Sequence, residues 1–121
     1  MISDLDEQFR VAMARLAAER SGDLSSRDVN RRARDVGDLF KPIVDRHSLP
    51  TFRNYVAENY KLEPWAISVG PNEVAELNDG VLRKLDHRFP VGDRLLIWFL
   101  YNPDRSEIDR VSISISRPGE I

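Results

Sequence analysis

The residue pattern predicts an α+β fold. A helical N-terminal half of three to four helices is followed by a small, mainly antiparallel sheet of about three strands, with one helix packed on it. Three observations carry this. Apolar residues between positions 5 and 60 recur at helical spacing. Leu95-Leu-Ile-Trp-Phe-Leu-Tyr101 is an uninterrupted apolar and aromatic run between Gly92-Asp93 and Asn102-Pro103. It suits a strand buried on both faces and is too short to cross a bilayer. Val111, Ile113 and Ile115 alternate with Ser112, Ser114 and Ser116, the period of two of a strand with one buried face.

The first helix is expected over 4–20. Ser3 can cap it, and Asp4, Asp6 and Glu7 suit the positive end of its dipole. Leu5, Phe9, Ala12, Met13 and Leu16 share one face, and Ser21-Gly22 stops the element. A second helix is expected over 25–40. Ser25 is its cap, Asp28 takes the capping-box position, and Leu24 and Val29 can form a hydrophobic staple. Val29, Ala33, Val36 and Phe40 make its buried stripe, and Pro42 should end or kink it near 39–41. Residues 42–47 suit a short third helix begun by that proline. After Pro50, the spacing of Phe52, Tyr55, Val56 and Tyr60 predicts another helix over 51–60.

Trp65-Ala-Ile-Ser-Val69 is expected to be a short strand, closed by Gly70-Pro71. Asn72 is read as the cap of a helix reaching His87, on the spacing of Val74, Leu77, Val81 and Leu85. Asn78-Asp79-Gly80 argues against one unbroken helix, since an interior glycine costs about 1 kcal/mol relative to alanine. The runs 95–101 and 111–116, joined by the polar loop 102–109, predict an antiparallel hairpin.

With 121 residues the chain is expected to form a single domain over 1–121, helical over about 1–62 and strand–helix–hairpin over about 63–117. The absence of cysteine excludes disulfides and thiolate chemistry. An acidic N-terminus without an apolar run does not resemble a secretion signal, so a cytoplasmic setting is expected, with no membrane partner. The net charge of −2 does not favour nucleic acid. Of the 18 basic residues, 15 are arginine, the better side chain for bidentate and interface contacts.

No catalytic, cofactor-binding or metal-binding motif is present. His47 and His87 have no ligand at recognised spacing, and there is no His-Glu-x-x-His, glycine-rich phosphate loop or Gly-x-Ser-x-Gly elbow. The leading expectation is a non-enzymatic protein that works by protein–protein binding, of the inhibitor, immunity, antitoxin or adaptor type, with no cofactor. Its candidate contacts are Arg27, Arg31, Arg34, Tyr55 and Tyr60, with Trp65 and one face of the strand ending at Tyr101. The serine face of the last strand is a further surface that could meet a protein, and a homo-oligomer is compatible with all of this.

Leu24-Ser-Ser-Arg-Asp-Val-Asn-Arg-Arg-Ala-Arg-Asp-Val-Gly37 resembles the first helix and turn of a helix-turn-helix DNA-binding unit. Ala33 and Gly37 stand four apart, as the small residue and turn glycine do there, and Leu49-Pro-Thr-Phe52 is similar to the start of the helix that follows. The resemblance covers about residues 24–60 and implies a second function, a DNA-binding regulator using residues 25–47. The sequence departs from that pattern at Asp38, at Pro42 and in the acids that offset the positive charge. A third expectation is an enzyme whose residues assemble only in three dimensions.

Overall fold

The structure is a computed structural model that describes residues 3–20, 36–67, 70–104 and 106–116. Among these, the order is α1 (Ser3–Arg20), α2 (Val36–His47), α3 (Leu49–Asn59), β1 (Leu62–Ile67), β2 (Gly70–Leu77), α4 (Asp79–Leu85), β3 (Arg94–Tyr101) and β4 (Ile108–Ser116). The four strands form one antiparallel sheet in the order β1-β2-β3-β4. The α+β class predicted from the sequence is therefore observed, with four strands where about three were expected.

Helix α1 buries Phe9, Ala12, Met13, Leu16 and Ala17, the stripe that the 3.6-residue period dictates. Phe9 is the hub. Its ring centroid lies 6.2 Å from Phe40, 6.3 Å from Phe52, 5.5 Å from Tyr55 and 5.6 Å from Tyr60. Phe52 carries the cluster on to the sheet through Phe99, at 5.7 Å. The helical stripes thus meet the inner sheet face, made by Ala75, Leu77, Leu95, Ile97, Phe99, Ile113 and Ile115.

Three local expectations are corrected. Helix α2 runs from Val36 through Pro42 to His47, with no new start at the proline. Pro42 is exposed, so the carbonyl it leaves without an amide partner lies on the wet side, while Phe40 and Ile43 are buried in the core. The residues 72–77 read as the start of a helix are strand β2, with Val74 opposite Trp98 and Leu77 opposite Leu95. Partners on both sides, β1 and β3, outweigh the helical spacing of two apolar residues. The helix begins instead at Asp79, capped by Asn78, whose Oδ1 accepts from the Val81 amide at 3.1 Å. Gly80 therefore lies in the first turn and interrupts nothing.

Of the second helix expected over 25–40, residues 25–35 lie outside the described residues, Val29 and Ala33 among them, and 36–40 are the start of α2. Helix α3 is capped by Ser48, whose Oγ accepts from the Thr51 amide at 3.3 Å. Ser48 holds φ at 85°, a conformation unusual for a residue with a Cβ.

The link from α4 to β3 anchors α1 to the sheet. Arg20 and Asp93, both with fully buried side chains, form a two-point ion pair: Nε donates to Oδ2 at 2.8 Å and Nη2 to Oδ1 at 3.1 Å. Gly92, with φ 92°, makes the turn before Asp93, and its amide donates to Asp79 at 2.7 Å. Arg83 donates to the Phe89 carbonyl at 2.6 Å, and Arg88 reaches the Ala14 carbonyl of α1. No described helix is long and apolar enough to cross a membrane.

Candidate functional site

The register divides the sheet into two unlike faces. Leu95, Ile97 and Phe99 point to the helices and are completely buried. Leu96, Trp98 and Leu100 point the other way and are half-buried. Across the strands, one row on that outer face reads Glu63–Val74–Trp98–Ser112 and the next reads Glu76–Leu96–Ser114. Val74 is 7% exposed yet lies outside the main core cluster, because it packs on the opposite side of the sheet. The helices of the described residues pack on the inner face.

A strand buried on both faces was the expectation for 95–101; one face is buried and the other is half-open. Strand β4 shows what a one-sided sheet normally selects, with Ile113 and Ile115 inside and Ser112, Ser114 and Ser116 outside. Strand β3 breaks that rule. Its outer positions are Leu, Trp and Leu where serine would suffice. The result is an apolar ridge along β3, formed by Leu96, Trp98 and Leu100, with the nearly buried Val74 beside it on β2 between Asn72 and Glu76. Glu76 lies beside it on β2, and Glu63, paired with Lys61 at 2.7 Å, lies beyond on β1. The Glu76 side chain is exposed and makes no hydrogen bond or ion pair among the described residues. Arg94 and Arg110 are exposed at the two ends of the β3–β4 side. A shallow hollow of about 280 Å³ lies between Lys61, Glu63, Val74, Glu76 and Leu96.

A second concave feature lies on the helical side, at the junction of α2 and α3 with the β3–β4 loop. This cleft of about 600 Å³ is walled by Val44, Leu49, Pro50 and Ile108, with Arg53 and Glu107 among its polar groups. Behind it, Arg53 grips Glu73 with two bonds, Nε to Oε1 at 3.2 Å and Nη2 to Oε2 at 2.6 Å, and the Tyr101 hydroxyl donates to Glu73. Burial first, then the Glu73 carboxylate, pushes the Tyr101 phenol above its ordinary range, so it stays a protonated donor at neutral pH.

Arg27, Arg31 and Arg34 lie outside the described residues, and so does the side chain of Trp65. Tyr55 is a core residue: it is 9% exposed and its hydroxyl donates to Asp6 at 2.6 Å. Burial and that carboxylate hold its phenol far above its usual value. Tyr60 is half-buried against Phe9. His47 Nε2 pairs with Gln8 Oε1 at 2.8 Å, tying α2 to α1, and His87 sits exposed in the link after α4. The described residues contain no group of three His, Cys, Asp or Glu side chains arranged to hold a metal ion. The ridge is one face of the strand ending at Tyr101, which the sequence offers without saying which face; the signal for it is the missing alternation in 95–101.

Comparison with protein-family models, with curated proteins and with solved structures finds no match for this chain.

Proposed function

We propose that the protein acts by protein–protein binding, without catalysis or cofactor, through the outer face of its sheet. One observation carries the proposal: the central strand keeps Leu96, Trp98 and Leu100 on the face that the described helices leave uncovered. Apolar area held in water costs roughly 25 cal/mol per Å², so a half-open ridge of large side chains is a standing expense to the free protein and a gain on association. The composition suits an interface. A tryptophan sits at its centre, aliphatic residues surround it, and charged and serine side chains form the rim. Inhibitors, immunity proteins, antitoxins and adaptors work in this way. A cytoplasmic setting goes with the proposal, and the cysteine-free sequence supports it.

The test is capture from the native cell lysate, with and without nuclease, by the wild-type chain and by Leu96→Glu. A stoichiometric protein that survives nuclease and is lost with Leu96→Glu supports the proposal. Capture that needs nucleic acid and is lost with Arg31→Glu or Arg34→Glu would replace it with the DNA-binding alternative. A turnover that disappears on changing His47 or Arg53 would replace it with an enzyme.

A further inference from the structure

Three local irregularities converge on the cleft between α2, α3 and the β3–β4 loop, and we infer that this cleft binds a small, largely apolar, uncharged organic molecule through a carbonyl oxygen. The cleft lies on the helical side of the sheet, so the inference goes beyond the outer-face reading and stands without it.

Ser48 comes first. Its φ of 85° and ψ of 156° belong to a region that glycine adopts and residues with a Cβ avoid. It sits immediately before Leu49 and Pro50, two residues of the cleft wall. Second, Leu100 faces Arg110 while Tyr101 faces Ile108, so Asp109 is an extra residue in β4. That bulge sets Ile108 against Tyr101 at the cleft, where a regular register would set Asp109. Third, Glu73 is 7% exposed, and the Arg53 guanidinium holds it with two bonds. Strain, bulges and buried ion pairs break local rules, and proteins concentrate them at binding sites. Here they surround an apolar space of about 600 Å³, walled by Val44, Leu49, Pro50 and Ile108, the size of a site for a small organic ligand.

The polar groups select the ligand's class. Arg53 Nη1 donates to Asn54 Oδ1 at 3.1 Å, which fixes the orientation of that side-chain amide. Its NH2 is left as the donor at the cleft, and the positive charge bonded to its oxygen strengthens both N–H groups. Neither N–H has an acceptor among the described residues. A ligand oxygen with open lone pairs completes this group; an ammonium, which has only donors, does not. Charge decides against a carboxylate. Arg53 is matched by Glu73, and Glu107 adds an exposed carboxylate with no cation among the described residues, so the cleft is net negative and repels an anion. A neutral carbonyl, as in an amide, ester or ketone, satisfies both conditions, with its hydrocarbon body against Val44, Leu49 and Ile108.

The experiment adds three probes of one skeleton to the intact, isotope-labelled protein: naphthamide, naphthoate and naphthylmethylammonium. Binding is read from backbone and side-chain N–H shifts in nuclear magnetic resonance, which also report the folding of each variant. Naphthamide should shift the Asn54 side-chain NH2, the Arg53 Nε–H and the backbone amides of Leu49 and Ile108. It should bind on the order of tenfold more tightly than the two charged probes. Asn54→Leu, at an exposed position, should erase that preference, and Ser106→Trp, at the rim, should weaken all three probes; if Ser106→Trp does not fold, Asn54→Leu decides alone. Tightest binding by naphthoate or by the ammonium probe would overturn the neutral-carbonyl class in favour of an anion or a cation. Equal binding of the three, unchanged by Asn54→Leu, would overturn it in favour of nonspecific apolar contact. Shifts confined to other surfaces, or none at all, would overturn the cleft as a site. Capture by the outer face is read separately, with Leu96→Glu.

Discussion

At the scale of single residues, buried polar groups hold the protein together by being matched. Arg20 and Asp93 are the clearest case, since neither reaches water. Removing one partner leaves an uncompensated buried charge, so Arg20→Met or Asp93→Leu should each cost about 3–5 kcal/mol in denaturant unfolding. The double variant should cost less than the sum, because it removes both charges together. Tyr55 and Asp6 form a second matched pair. Burial first, and Asp6 second, raise the Tyr55 phenol, so its stabilisation is present below pH 10 and lost as pH rises above it. Unfolding from pH 8 upward should show that loss, and Tyr55→Phe should flatten it while costing about 1–2 kcal/mol at neutral pH. Carboxylates act at the other end of the scale. The Arg88 guanidinium holds Asp86 down to about 2, from an ordinary 3.8. That contribution is present above pH 3.8 and is lost as pH falls toward 2, so Arg88→Gln should weaken the protein at pH 5 and make little difference at pH 2. Little of this was visible in the sequence. Arg20 and Asp93 are 73 positions apart, and nothing local marks them as partners.

At the scale of elements, periodicity succeeded where one face decides the structure. The α1 stripe and the alternation in β4 were legible because each repeats over several turns or residues. Residues 72–77 misled because Val74 and Leu77, three apart, satisfy a helix as well as two faces of a strand: Val74 faces out and Leu77 faces in. The helix start hides in the same stretch. Asn78 breaks the run by capping the helix, and Asn78→Ala should cost about 1 kcal/mol in thermal or denaturant unfolding. Pro42 is tolerated inside α2 for a physical reason. A proline on the exposed side of a helix gives up one hydrogen bond, and the burial of Phe40 and Ile43 compensates for it. The aromatic hub ties these elements into one core, so Phe9→Ala should be the more disruptive kind of change, at about 3–5 kcal/mol.

At the scale of the whole molecule, the helices and the sheet's inner face make the stable body, and the outer face is what that body presents. The α+β class could be read from the sequence because helical and strand periods occupy different halves of the chain. Which face of the strand ending at Tyr101 stays open could not, because it depends on which side of the sheet the helices choose. Only with the register in hand does the apolar run 95–101 divide into a core row and an outward row. Arg27, Arg31 and Arg34, offered as contacts on residue type, lie outside the described residues, and Tyr55 serves the core. The most direct test places a photo-crosslinking residue at Ser114, on the outer face beside Leu96, and separately at Val11, exposed on α1. In the native lysate the account predicts a discrete protein adduct from position 114 and none from position 11; an adduct from position 11 alone would contradict it.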